Sequence, residues 1–201
     1  MPPDPLILGF DTSAAHCAAA LLSGNRVIAS RHEDMAKGQA ERLMPLLEQV
    51  LADAGVQWSD LAGLGVGVGP GNFTGIRIAV SAARGLALGL GIPAVGVSMF
   101  EALALDQPRP LTALVDARRD MVYAQDFETG QTAAPRLIAR SDLNNPWPLV
   151  ETLPEATLAV HIARIAGDRI QEGGEIARPA PLYLRAADAA PASDPPPVIL
   201  P

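Results

Sequence analysis

Two short polar segments carry the residue types best suited to chemistry. Asp11-Thr12-Ser13 directly follows the apolar run Leu6–Phe10, and Gly69-Pro70-Gly71-Asn72-Phe73-Thr74-Gly75 leads from a glycine-rich run into a helical pattern. A glycine-rich turn into a helix points backbone N–H groups at the helix N-terminus, an arrangement that suits an anion. Asp11, Thr12, Ser13, Gly69, Gly71, Asn72, Thr74 and Gly75 are therefore the candidate nucleotide- or anion-binding set. The plainer alternative is a tight, well-capped turn over a buried Phe73. Binding of a triphosphate is expected to be weak or absent, because the set has no lysine and no second glycine loop.

Other chemistries fail on spacing. Starting from Gly63, Gly65, Gly67 or Gly69, the dinucleotide fingerprint puts Val68, Pro70, Asn72 or Thr74 where its third glycine belongs. The only lysine, Lys37, precedes Gly38 rather than the Ser or Thr of a phosphate loop. No Gly-x-Ser-x-Gly elbow occurs. His16, His32 and His161 are isolated in sequence, so no metal and no catalytic residue is assigned.

The positioning elements follow from periodicity. Leu6–Phe10, Cys17–Leu22 and Arg26–Ser30 read as strands, with Ser23-Gly24-Asn25 as a hairpin turn. Leu43, Leu46, Leu47, Val50 and Leu51 mark a helix over Gln39–Ala54, stopped by Gly55. Between Leu61 and Gly71 every second residue is glycine, so one strand face would be bare and open to another backbone or a ligand. A second helix is expected from Thr74, as N-cap, to Leu90, and then a strand over Pro93–Ser98. Leu111–Val115 and Met121–Phe127 form a predicted hairpin, and Ala133–Ile138 a further strand. Leu158, Ile162, Ile165 and Ile170 mark a last helix closed by Gly173-Gly174. Residues 186–201 read as a loose Pro/Ala-rich tail.

Composition narrows the class. Of 201 residues, 49% are hydrophobic and 18% charged, which allows a sizeable core. The net charge of −7 disfavours direct contact with nucleic acid. Residues 1–100 hold six basic and eight acidic groups against nine and fourteen in the remainder, so the nearly neutral half is better suited to being covered by a protein. A lone Cys17 within an apolar run fits a reducing compartment and a structural thiol. The uncharged runs Leu61–Ile76 and Gly85–Phe100 fall short of a membrane span. With no basic leader, a soluble cytoplasmic chain without membrane association is expected.

The three-strand start ending in Asp-Thr-Ser resembles the actin-like superfamily of sugar kinases, actin and heat-shock ATPases. Gly69–Arg77 resembles the signature of the TsaB (YeaZ) family. Further matches come in order at Ala40–Pro45, Gly96–Ser98, Asp116–Arg119 with Val122-Tyr123, and Pro181–Arg185. Gln39 and Asn72 depart from it, standing where relatives usually have His and Ser. The resemblance implies an α/β, actin-like fold with two lobes, 1–103 and a shortened 104–185, before the 186–201 tail. It implies a non-catalytic subunit needed for threonylcarbamoylation of adenosine 37 in tRNAs reading ANN codons. A TsaD-like subunit and a TsaE-like ATPase would be its partners, with a homodimer as the other pairing. tRNA would be met only through the complex. No cofactor would be tightly bound, and ATP or ADP would enter at the level of the complex. The rival expectations are a sugar-kinase-type phosphotransferase and a glycoprotease-like metallopeptidase.

The resemblance further implies pairing through the two helices of the first half. The candidate interface comprises Leu43, Met44, Leu46, Leu47, Val50, Ile76, Val80, Ala83, Leu86 and Ala87. Leucines around more than one narrow stripe of the first helix are read as apolar surface beyond a single core's need. Leu46→Arg or Ala83→Arg is accordingly expected to leave a folded chain that loses its partner.

Overall fold

The structure is a computed structural model describing residues 4–154 and 157–184. The predicted tail, 186–201, lies outside the described residues.

Three antiparallel strands open the fold: β1 (Leu6–Asp11), β2 (His16–Ser23) and β3 (Arg26–Asp34). β3 runs four residues past the predicted end because its ladder with β2 continues to the His16–Asp34 pair. α1 (Gln39–Ala54) then leads to β4 (Gly63–Gly67), α2 (Phe73–Leu90) and β5 (Ala94–Val97). β4 lies parallel to β1, and β5 parallel to β4, giving the sheet order β3-β2-β1-β4-β5. The α/β class is the one that the Asp-Thr-Ser start implies.

α1 and α2 cover one face of this sheet. Leu8, Phe10, Leu64 and Val66 alternate toward them and join one core with Leu43, Leu46, Leu47, Val50, Ile76, Val80 and Ala83. Both helices end on a left-handed glycine, Gly55 (φ 65°) and Gly91 (φ 68°). α2 is capped by Asn72 rather than the predicted Thr74, its side chain accepting from the N–H groups of Thr74 and Gly75. α2 has the length and mean hydropathy of a membrane span, and it buries Gly75, Ile76, Ala79, Val80 and Ala83.

The bare glycine face meets a backbone. Gly9 and Gly65 lie beneath α4 (Thr157–Glu172). A Cβ at Gly9 would fall 2.5 Å from the Ala159 carbonyl oxygen, and one at Gly65 would fall 2.7 Å from that of Ile162. Ala159, Ala163 and Ala166 of α4 are all buried there. Helix α4 thus belongs to the first sheet's core, although the predicted boundary at 103/104 places it in the second lobe. A sequence boundary follows chain order, whereas α4 returns across the molecule.

α3 (Met99–Ala104) is a short helix that periodicity did not reveal. Ser98 and Glu101 close its first turn as a reciprocal capping box. It carries Phe100 and Leu103 onto the second sheet, whose centre is β6 (Leu111–Ala117) paired antiparallel with β7 (Met121–Glu128). β8 (Gln131–Thr132) and β9 (Arg136–Ala139) pair with β7, and β10 (Leu149–Val150) with β6. Of the strand predicted over Ala133–Ile138 only the second half forms, as the start of β9 at Arg136, while β8 precedes the predicted range.

A polar knot ties this sheet together. Asp126 accepts from Thr112 Oγ1 at 2.6 Å and Arg136 at 2.6 Å, and Asn145 joins both Thr112 and Asp126. Burial pushes the Asp126 carboxyl up, but the bonds from Arg136, Thr112 and Asn145 outweigh it and hold it below its ordinary value. A depressed carboxyl contributes stability above its unfolded pKa, and that contribution is lost as pH falls through the folded value. Arg136→Gln is expected to cost about 1–2 kcal/mol at neutral pH, the lower range because Arg136 is partly exposed. Melting curves of variant and wild type should converge in acid; a constant gap at every pH would remove Asp126 from the explanation.

Cys17 is fully buried. Burial, with Glu33 adding to it, pushes its thiol up to about 11, the state of an inert structural thiol.

Candidate functional site

The structure brings the two polar segments into direct contact. β1 ends at Asp11, whose carboxylate is completely buried. Its Oδ2 accepts from the Ser13 N–H (2.8 Å), the Ser13 hydroxyl (2.9 Å) and His16 Nε2 (2.7 Å). Oδ1 has no hydrogen-bond partner and lies against Gly67, where any side chain would overlap it. The Thr12 hydroxyl donates to the Gly75 carbonyl at 2.7 Å, and the Asn72 N–H donates to the Ser13 carbonyl at 2.6 Å.

Close backbone approach explains the glycines of the second segment. A Cβ at Gly71 or Gly75 would collide with the carbonyls of Ser13 or Thr12. Gly69 adopts φ 95°, a left-handed conformation that glycine tolerates best, and its carbonyl accepts from the Met99 N–H at 2.8 Å. Asn72 Oδ1 takes the Thr74 and Gly75 N–H groups at 3.0 Å each. The donors expected to face an anion are therefore engaged by the chain's own cap. Phe73 is 53% exposed, not buried beneath the turn.

Sequence spacing concealed one participant. His16 stands alone in the chain, yet it bonds Asp11 because the β1–β2 ladder sets Asp11 opposite Ala18, two residues away on the same face. The His32 ring lies 5.1 Å from that of His16, and its Nε2 contacts Asp34 Oδ1 at 3.1 Å. The signal was an Asp within five residues of a His across a strand turn. Among the described residues, no three His, Cys, Asp or Glu side chains gather as a metal-ligand set.

The second candidate site is the outward face of α1 and α2. Here the predicted interface needs correction. Leu43, Leu46, Leu47, Val50, Ile76, Val80 and Ala83 are each at most 3% exposed and form the chain's own core. Positions 43, 46, 47, 50 and 51 make one ordinary core-facing stripe, so the leucines imply no second apolar surface. Leu86 and Ala87 are half-buried against the same core, and of the predicted set only Met44 is exposed.

What faces outward is a different set. Ala40, Met44, Phe73, Ile78 and Ala82 line a groove of about 490 Å³ between the helices. Arg77 stands at its rim, with its guanidinium 3.7 Å from the Phe73 ring centre and its Nε donating to the Tyr183 hydroxyl at 2.8 Å. Leu88, 85% exposed, extends the apolar character along α2.

A two-sheet α/β chain with an internally bonded Asp-Thr-Ser turn and an apolar helix-pair face defines the class. Residues 26–142, more than half of the chain, match the family model described as TsaD: tRNA N6-adenosine threonylcarbamoyltransferase. An uncharacterized protein of Mycobacterium tuberculosis is 32% identical over 92% of this chain and 94% of its own length. The Escherichia coli tRNA threonylcarbamoyladenosine biosynthesis protein TsaB is 34% identical over 61% of this chain and 54% of its own. The solved structure of YeaZ from Pseudomonas aeruginosa superposes with a TM-score of 0.73 at 28% identity, covering 90% of this chain and all of that one. The chain belongs to the family of that model, with TsaB- and YeaZ-named proteins among its relatives.

Proposed function

We propose that the chain is a non-catalytic subunit in the biosynthesis of threonylcarbamoyladenosine on tRNA, and that it docks a TsaD-like partner through the outward face of α1 and α2. The observation that carries this reading is the groove flanked by exposed Met44 and Phe73, with Leu88 beyond it. Relatives named for this biosynthesis support the process, and the engaged donors around Asp11 and Asn72 support a non-catalytic role. A TsaE-like ATPase completes the assembly, and the same helix face serves a second copy of the chain when the partner is absent. The net charge of −7 favours meeting tRNA through the partner. Nucleotide, ATP or ADP, enters with the complex, in the cytoplasm.

An arginine at the centre of such a face would be desolvated and unpaired. Met44→Arg is therefore expected to give a folded protein, by circular dichroism, whose affinity for the partner falls about 100-fold or more. Association is read by size exclusion of the mixed subunits. Undiminished association of the folded variant would move the interface elsewhere.

A further inference from the structure

Two imidazoles meet on the face of the first sheet beside Asp11. The ladders set Asp11 opposite Ala18, His32 opposite the same alanine, and Asp34 opposite His16. Alternation therefore puts Asp11, His16, His32 and Asp34 on one face, with the two histidines diagonal to each other across the β2–β3 pair. Their side chains are only 12% and 17% exposed. Each ring gives its Nε2 to a carboxylate, His16 to Asp11 at 2.7 Å and His32 to Asp34 at 3.1 Å. A carboxylate only accepts, so each Nε2 carries the proton and each Nδ1 keeps its lone pair. His32 Nδ1 is buried and has no hydrogen-bond partner among the described residues. Among the same residues, the one hydrogen bond of the His16 ring is at Nε2. A buried acceptor without a partner calls for one.

We propose that His16 Nδ1 and His32 Nδ1 are the two protein ligands of a site for a divalent metal of the zinc type. A carboxylate on the far nitrogen is the usual outer support of a metal-binding imidazole, fixing its tautomer and raising its basicity. The spacing fits a shared ion. A metal about 2.0–2.1 Å from each nitrogen stands about 3.2 Å from each ring centre, so rings 5.1 Å apart subtend about 106° at it, near the tetrahedral angle. Asp11 and Asp34 balance its double charge. No third His, Cys, Asp or Glu completes a ligand set among the described residues, so water fills the remaining positions and affinity is moderate. Imidazole donors select zinc, nickel or copper over magnesium and calcium. The ion ties β3 to β2 next to the Asp11-Thr12-Ser13 turn, and the site is independent of the partner reading above.

The test titrates the full chain with Zn²⁺, and separately with Mg²⁺, followed by calorimetry and by nitrogen NMR of the imidazoles. One Zn²⁺ per chain is expected, displacing the Nδ1 resonances of His16 and His32. His161, whose Nδ1 is held by the Ala102 carbonyl at 2.7 Å, should not move, and Mg²⁺ should displace none of the three. His32→Gln is expected to weaken Zn²⁺ binding roughly 10-fold or more, and Asp34→Ala, which removes only the outer carboxylate, about 10-fold. Asp34 is 84% exposed, so its variant stays folded and decides the matter even if His32→Gln unfolds. Static His16 and His32 Nδ1 resonances, equal displacement of His161, or unchanged Zn²⁺ affinity in either folded variant overturns the proposal.

Discussion

Leu46→Arg is expected to abolish the folded state rather than the complex. Leu46 is fully buried in the core shared by α1, α2 and the first sheet. The substitution removes a packed aliphatic side chain, worth about 2–5 kcal/mol in cores of this kind. It also forces a guanidinium into a fully buried site packed by aliphatic side chains, adding several kcal/mol more. A domain of ordinary stability has only about 5–15 kcal/mol in all. The variant should lack a cooperative thermal transition, while Met44→Arg, two residues away on the outward face, should retain one. A wild-type melting temperature for Leu46→Arg would mean that α1 packs in some other way. Ala83→Arg, completely buried on α2, should behave as Leu46→Arg does.

The second large effect lies at the glycine face. Gly9→Ala would place a methyl group 2.5 Å from the Ala159 carbonyl and 2.6 Å from the Ala163 nitrogen. Both are main-chain atoms of α4, so no side-chain rotation relieves the clash and the helix must lift. Overpacking of this kind costs about 1–3 kcal/mol, with the upper end expected where backbone must move. Gly65→Ala meets the Ile162 carbonyl at 2.7 Å and should behave alike. Gly85→Ala is the contrast: it sits in the interior of α2 with open space around its Cβ position, and should raise stability by about 0.5–1 kcal/mol. Chemical denaturation of the three variants decides the matter. Equal stability of Gly9→Ala and wild type would contradict the close approach of α4 to the sheet.

Local features were legible in the sequence where a single element determines them. The bounds of α1 follow from its leucine spacing and from Gly55, and both hold. Asn72 was visible as a polar residue but not as the cap, because Thr74 offers the same chemistry two positions later. α3 left a readable trace, Ser98-Met99-Phe100-Glu101, which is a capping-box pattern too short to stand out by periodicity. The glycine alternation said that a close neighbour was needed, not which one. The answer, α4, lies almost a hundred residues further along, and no local pattern encodes that contact.

The sites divide the same way. The Asp11 and Gly69–Gly75 segments were legible because glycine and small polar residues cluster there. Their mutual contact was not, since Thr12 meets Gly75 only through the β1–β4 pairing. The interface residues were misplaced for a different reason. A leucine stripe spanning positions i, i+3, i+4, i+7 and i+8 is what one buried face requires, and it leaves no apolar surplus for a second. The outward groove is built instead from Ala40, Met44, Phe73 and Ala82, residues whose small size or isolation carries little signal in sequence.

The most direct measurement is threonylcarbamoylation of unmodified tRNA in a reconstituted mixture of this chain, a TsaD-like subunit, a TsaE-like ATPase, ATP and the threonylcarbamoyl donor, with nucleosides quantified by mass. The modified nucleoside should form in the full mixture, fall to background when this chain is left out or replaced by Met44→Arg, and be absent with this chain alone. Full modification without the chain, or modification by the chain alone, would contradict its role as a required, non-catalytic subunit.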